Sequence, residues 1–335
     1  MTKYISIISF SLFLIVNGCI YQDHKEESKI ELNNIDSTDF VDNAIDSIFF
    51  KKLKKFFFQE IGYELEGDFY TESKNIEDIN YLLIVSLPNK IESPNISKSN
   101  SIKELFLSRY NLIDIPYIDC GKDIENVKKI ELENKEKGYH TLYFQNFLNS
   151  NTFLNNALIF LSKEDICHIV FHELMHNYIR QKKIRMPRNY EEALCEVIGN
   201  HFALKFAENN NEIDTTLVKS QILTTEKVYQ CINNYVYKIN SGSGNVDSLN
   251  NECQKEINTI LENVNSFPKE RFGDNVNNAF LLLHNMYSKN YFILKELYLK
   301  EKSITEFIDK IPKSNPSDAF LEIPSNALLQ SVRNL

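Results

Sequence analysis

His172 and His176 stand four residues apart, with Glu173 directly after the first histidine and Leu174 and Met175 completing the interval. Residues at i and i+4 share one face of a helix, so both imidazoles can reach a single ion. Glu173 lies where a carboxylate can take a proton from a water held by that ion. The neighbours Ile169, Val170, Phe171, Leu174 and Met175 carry no charge, as expected of a helix buried behind a metal. A catalytic zinc takes three protein ligands and leaves one position to water, so a third ligand is needed. No third histidine follows at short spacing. Instead Tyr190 to Glu196 reads Tyr-Glu-Glu-Ala-Leu-Cys-Glu. Glu192 and Glu196 are one turn apart on one face, whereas Glu191 points elsewhere and reads as solvated. We assign Glu192 as the third ligand. Glu196 is then the carboxylate that orients a ligand histidine through its other ring nitrogen; the exchange of these two roles stays open. His168 reads as a hydrogen-bonded core histidine, and Cys167 and Cys195 read as packing.

The elements that must position these groups follow from the hydrophobic pattern. From Phe40 to Leu65 apolar residues recur at helical spacing opposite Lys51, Lys52, Lys54 and Lys55, which predicts a core-packed helix with a solvated lysine face. Tyr81 to Leu87, stopped by Pro88, reads as a buried strand. Lys128 to Leu132 and Gly138 to Phe144 are weaker strand candidates. Past Asn151 the pattern is helical over Lys163–Lys183, Tyr190–Asn209, Asp214–Ile239, Leu249–Asn263 and Asp274–Tyr298, with a loop at Ser241-Gly242-Ser243-Gly244. The expected class is α+β and predominantly helical, with a small mixed sheet in an N-terminal part (residues 39–150), a helical part (151–311) and a C-terminal tail (312–335).

The start of the chain has a different character. Lys3 precedes a run of thirteen almost wholly apolar residues, Tyr4 to Val16. A spanning helix needs about 20, so the run has the length of a signal-peptide core. It ends in Val16-Asn17-Gly18-Cys19, which resembles the bacterial lipobox. Residues 1–18 would then be removed and Cys19 lipidated, holding an exported lipoprotein on a membrane through a polar tether (19–38). The net charge of −9 in 335 residues argues against nucleic acid as a partner. Six cysteines are too sparse for a disulfide scaffold, and no essential disulfide is expected. Seven scattered histidines do not form the histidine-rich loop of a metal-uptake protein.

Taken together, the zinc helix and the following Glu-x-x-x-Glu helix resemble the gluzincin metallopeptidases. More narrowly, the chain resembles a bacterial family of predicted aminopeptidases, many of them lipoproteins. Val170 to His176 is similar to that family's zinc helix. Glu192-Ala193-Leu194-Cys195, followed by Ile198-Gly199, is similar to its Asn-Glu-small-Phe-Ala segment. Gly138-Tyr139-His140-Thr141-Leu142 is similar to its Tyr-Ser-Thr-Leu segment, and Asn277-Asn278-Ala279 to a late Asn-Asn-Ala helix. Glu191 replaces the usual Asn. The resemblance implies a zincin-like fold, one zinc per chain on His172, His176 and Glu192, a peptide substrate, and Glu173 as general base. A second donor would hold the oxyanion; Tyr287 is the first candidate, His284 the second and Tyr139 the third. Asn277 and Asn278 would bind substrate backbone or cap the helix. Glu191 or Glu164 could meet the free amine of an aminopeptidase substrate. A zinc endopeptidase and a non-catalytic zinc-containing binding module stay open beside the aminopeptidase.

Overall fold

The structure is a computed structural model. It describes residues 47–65, 80–94, 117–146, 161–184, 186–262, 264, 267–273, 275–301 and 303–311. The leader, Cys19, the tether and the tail after residue 311 lie outside them. The elements, in chain order, are α1 (Ser47–Ile61), β1 (Asn80–Ser86), β2 (Tyr117–Gly121), α2 (Ile124–Glu136), β3 (His140–Asn146), α3 (Lys163–Gln181), α4 (Arg188–Glu208), α5 (Thr215–Asn240), α6 (Val246–Leu261), α7 (Phe267–Phe272), α8 (Asn278–Ser288), α9 (Tyr291–Lys300) and α10 (Ile304–Lys310). The expected class holds: the described chain is mostly helical with one small sheet.

The sheet has the order β2-β1-β3. Both pairings are antiparallel, so among the described residues it is not the mixed sheet that the sequence suggested. Side chains alternate across a strand. Leu82, Ile84, Leu142 and Phe144 face the main core, whereas Leu83, Val85, Cys120 and Tyr143 form a second layer with Val127 of α2. The segment 128–132 lies inside α2 rather than in a strand. Its alternation was an amphipathic helix read too short: Asp123 caps the start by accepting from the Glu125 N–H, a signal for helix.

α1 does pack on the core. Phe56 and Phe57 meet Phe171 of α3 and Phe202 of α4 at ring-centroid distances of 5.6 to 6.4 Å, which is within aromatic pairing range. Ile48, expected on its apolar face, is exposed. The helix anticipated over Asp274–Tyr298 is two helices, α8 and α9, with Asn290 between them.

α3 and α4 form the centre of the molecule. Ser162 caps α3 by accepting from the Asp165 N–H at 3.1 Å, and its hydroxyl donates back to Asp165 Oδ2 at 2.6 Å. The two helices come closest at Gly199. A Cβ there would lie 3.0 Å from the His168 carbonyl oxygen and 3.2 Å from its imidazole ring. Glycine is therefore what lets α4 run along the histidine-bearing face of α3.

Candidate metal centre

α3 is buried on nearly all sides. Phe171 faces the α1 aromatics, and the turn that carries His172 and His176 faces the first turns of α4. The two Nε2 atoms are 3.2 Å apart. Glu192 Oε2 lies 3.3 Å from His172 Nε2 and 3.3 Å from His176 Nε2. Three donor atoms from three buried side chains thus form a nearly equilateral triangle. Metal–ligand bonds of about 2.0–2.1 Å at tetrahedral angles place ligand atoms roughly 3.3–3.4 Å apart. The donor set and its spacing therefore fit a small divalent ion.

The electrostatics point the same way. Burial alone would lower the His176 pKa, but Cys195, Glu192 and Glu191 together hold it well above the ordinary histidine value. Burial alone would raise the Glu192 pKa, but Arg188 and the two histidines hold it well below the usual carboxylate range. The pocket thus favours a carboxylate facing a positive charge. Ligating histidines must be neutral, so a bound metal would take the place of that proton.

Glu191 corrects the sequence reading. Its Oε1 lies 2.8 Å from His176 Nδ1. The two ring nitrogens of His176 face opposite ways, so carboxylates about 100° apart on α4 can each meet one. The carboxylate beside the far ring nitrogen of His176 is Glu191 and not Glu196, which was expected to orient a ligand histidine and lies beside His168. Glu196 lies one turn further on and is fully buried. It accepts from Tyr229 Oη at 2.8 Å, pairs closely with buried Arg271, and lies 3.1 Å from His168 Nε2. Burial opposes its charge, but Arg271 and His168 hold its pKa well below the usual range. The Nδ1 atom of His172 has no hydrogen-bond partner among the described residues.

Besides this triangle, two groups among the described residues bring potential ligand atoms together: His172, His176 and Cys195; and His168, His172 and Glu196. The first overlaps the triangle above. Cys195, read from sequence as packing, is beside the histidine pair because it follows Glu192 by three residues on the same face of α4. Its thiol is pushed up to about 12 by burial. In the second group Glu196 also pairs with Arg271, as Glu192 pairs with Arg188 in the triangle.

The remaining predicted residues separate clearly. Glu173 is half-buried on α3, and no side chain among the described residues pairs with it. Tyr287 of α8 comes to the site: its ring centroid lies 6.3 Å from that of His172, and the Arg271 guanidinium lies 5.1 Å over its ring. His284 is buried between Phe272 and Phe280, and burial holds its pKa well below normal. Tyr139 packs in the layer beneath α2. Asn277 caps α8 by accepting from the Ala279 and Phe280 N–H groups. Asn278 is fully buried; it donates to the Leu87 and Pro88 carbonyls and accepts from Asn250. Both asparagines are therefore structural ties between α8 and its neighbours. Glu164 accepts from the Asp214 N–H at 2.9 Å, at the start of α5. A small cavity of about 20 Å³ is lined by Asp165, His168, Asn200 and Arg271 among others, and by none of the triangle residues.

No family model, characterised protein or solved structure matches the chain. No helix among the described residues is long and apolar enough to cross a membrane.

Proposed function

We propose that this chain is a zinc metallopeptidase with a zincin-like arrangement, acting as an aminopeptidase on peptide substrates and held on a bacterial membrane through Cys19. The observation that carries the reading is the convergence of His172 Nε2, His176 Nε2 and Glu192 Oε2 within 3.2 to 3.3 Å of one another. A zinc ion held by these three groups would acidify a coordinated water and polarise a substrate carbonyl. The chain's own residues supply the rest. Glu173, beside His172 and without a partner among the described residues, accepts the proton of the attacking water and returns it to the leaving amine. Glu191 holds the His176 ring through Nδ1, leaving Nε2 as the lone-pair nitrogen. Tyr287 is the donor placed to stabilise charge on the substrate oxygen. Glu196 is not proposed as a ligand, because Arg271 and Tyr229 take one of its oxygens and, among the described residues, only His168 Nε2 lies beside the other.

The test compares wild type with Glu173→Gln for bound zinc and for cleavage of a mixed peptide pool, read by mass spectrometry. The expected outcome is equal zinc in both, removal of N-terminal residues by wild type, and no cleavage by the variant. Internal cuts would replace the aminopeptidase with an endopeptidase. Equal cleavage by both proteins would overturn the assignment of Glu173.

A further inference from the structure

The candidate metal centre is bordered by a cation. Arg188 is the first residue of α4 and follows Pro187. A positive side chain there faces the positive end of the helix dipole. Arginine four residues before an acid is also the weaker order for an i,i+4 pair. Helix stability therefore does not account for Arg188. Its contacts do. Nη1 lies 3.1 Å from Glu191 Oε1, and Nη2 pairs closely with Glu192 Oε1. Glu191 Oε1 in turn meets His176 Nδ1 at 2.8 Å, and Glu192 Oε2 meets His176 Nε2 at 3.3 Å. Arg188, Glu191, His176 and Glu192 thus close a ring, with both carboxylates tied to one guanidinium and to opposite edges of one imidazole.

The ring divides the labour of the Glu192 oxygens. Oε1 belongs to Arg188, whereas Oε2 faces both histidine Nε2 atoms. We propose that Arg188 is a positioning residue that confines Glu192 to metal ligation through Oε2 alone; this rests on the metal-site reading above. The consequence is chemical. Two imidazoles and one oxygen leave a fourth position for water in a four-coordinate site. A carboxylate free to use both oxygens would fill that position or raise the coordination number. Arginine suits the task because its planar fork spans two carboxylates at a fixed separation, which the point charge of lysine does not do.

The experiment loads the full-length protein with cobalt(II) in place of zinc, because the visible bands of cobalt are intense in four-coordinate sites and several-fold weaker in higher-coordinate ones. Wild type is expected to give intense bands. Arg188→Met keeps the aliphatic stem; its bands should fall several-fold at equal cobalt content. Arg188→Lys should recover part of the intensity. Weak bands in wild type overturn the proposal, and so do unchanged bands in Arg188→Met. Should Arg188→Met not fold, the wild-type bands and those of Arg188→Lys decide: a lysine variant indistinguishable from wild type overturns the role of the fork. A wild-type protein that takes up neither cobalt nor zinc sinks the metal-site reading itself, an outcome distinct from a protein that binds cobalt but is indifferent to Arg188.

Discussion

Glu192 and Glu196 are the same residue type, one turn apart on the same helix, both buried and both facing histidines of α3, yet their surroundings differ. Glu196 draws its partners from inside the fold: Arg271, itself only 1% exposed, and the Tyr229 hydroxyl meet Oε1, and the His168 imidazole lies beside Oε2. Glu192 is met by Arg188, which keeps a quarter of its side chain in solvent, on one oxygen and by two imidazole nitrogens on the other. A buried charge demands compensation. At Glu196 a buried arginine and the neighbouring histidines provide it; at Glu192 a partly exposed arginine and two histidine nitrogens do, and a metal ion can replace the histidine charge. The difference teaches that acid–histidine proximity alone does not mark a metal site. What differs is the oxygen that the arginine leaves over: two imidazole nitrogens lie beside it at Glu192 and one at Glu196.

The largest expected effect falls on the structural side of this comparison. Arg271→Met leaves Glu196 buried without its permanent cation, and should cost about 3–5 kcal/mol of stability, measured by denaturant unfolding. The same pair predicts an acid dependence. The folded-state pKa of Glu196 is depressed, so its contribution is present above the unfolded carboxylate value of about 4.3. It is lost as the pH falls through the lower folded value. Wild type should therefore lose stability on acidification more steeply than Arg271→Met. Equal slopes would deny Glu196 its assigned role.

On the metal side, Tyr287→Phe should lower peptide hydrolysis by about 10²–10³-fold, the usual effect of losing an oxyanion donor, with little change in bound zinc. Full activity in this variant would remove Tyr287 from the mechanism. Glu191→Ala should weaken zinc binding by about 10–100-fold, read by competition with a chromophoric chelator. Affinity indistinguishable from wild type would show that His176 needs no carboxylate on Nδ1. The smallest effect tests the helix approach that serves both regions. Gly199→Val should cost about 1–3 kcal/mol, because the His168 carbonyl oxygen sits 3.0 Å from where a Cβ would be. Unchanged unfolding would mean that α3 and α4 can separate without penalty.

Much of this arrangement is legible in the sequence, and the limits have physical causes. The i,i+4 histidine pair and the apolar residues around it specify α3 locally, and the acid after Tyr190-Glu191 lies close enough in sequence to be placed on the next helix. The roles of Glu191 and Glu196 were not legible. Helix periodicity puts neighbours on different faces, but it takes no account of a histidine offering nitrogens on two edges. Nor does it reveal that Arg271, 75 residues downstream, is folded against Glu196. Cys195 reads as packing because no third Cys or His stands at structural-site spacing; its histidine neighbours come from α3. In the fold, β2 and α2 were missed because Tyr117–Gly121 is short and the α2 stretch is strongly charged. The break between α8 and α9 was missed because the apolar pattern runs through it without Pro or Gly.

The central claim is that the triangle of His172, His176 and Glu192 holds one zinc, whereas Glu196 holds none. The most direct measurement is zinc content after equilibrium dialysis of wild type, Glu192→Ala and Glu196→Gln at the same free zinc concentration. About one zinc per chain is expected in wild type and in folded Glu196→Gln, with Glu192→Ala retaining little. Zinc lost from Glu196→Gln but kept by Glu192→Ala would contradict it, and so would a wild type that retains none.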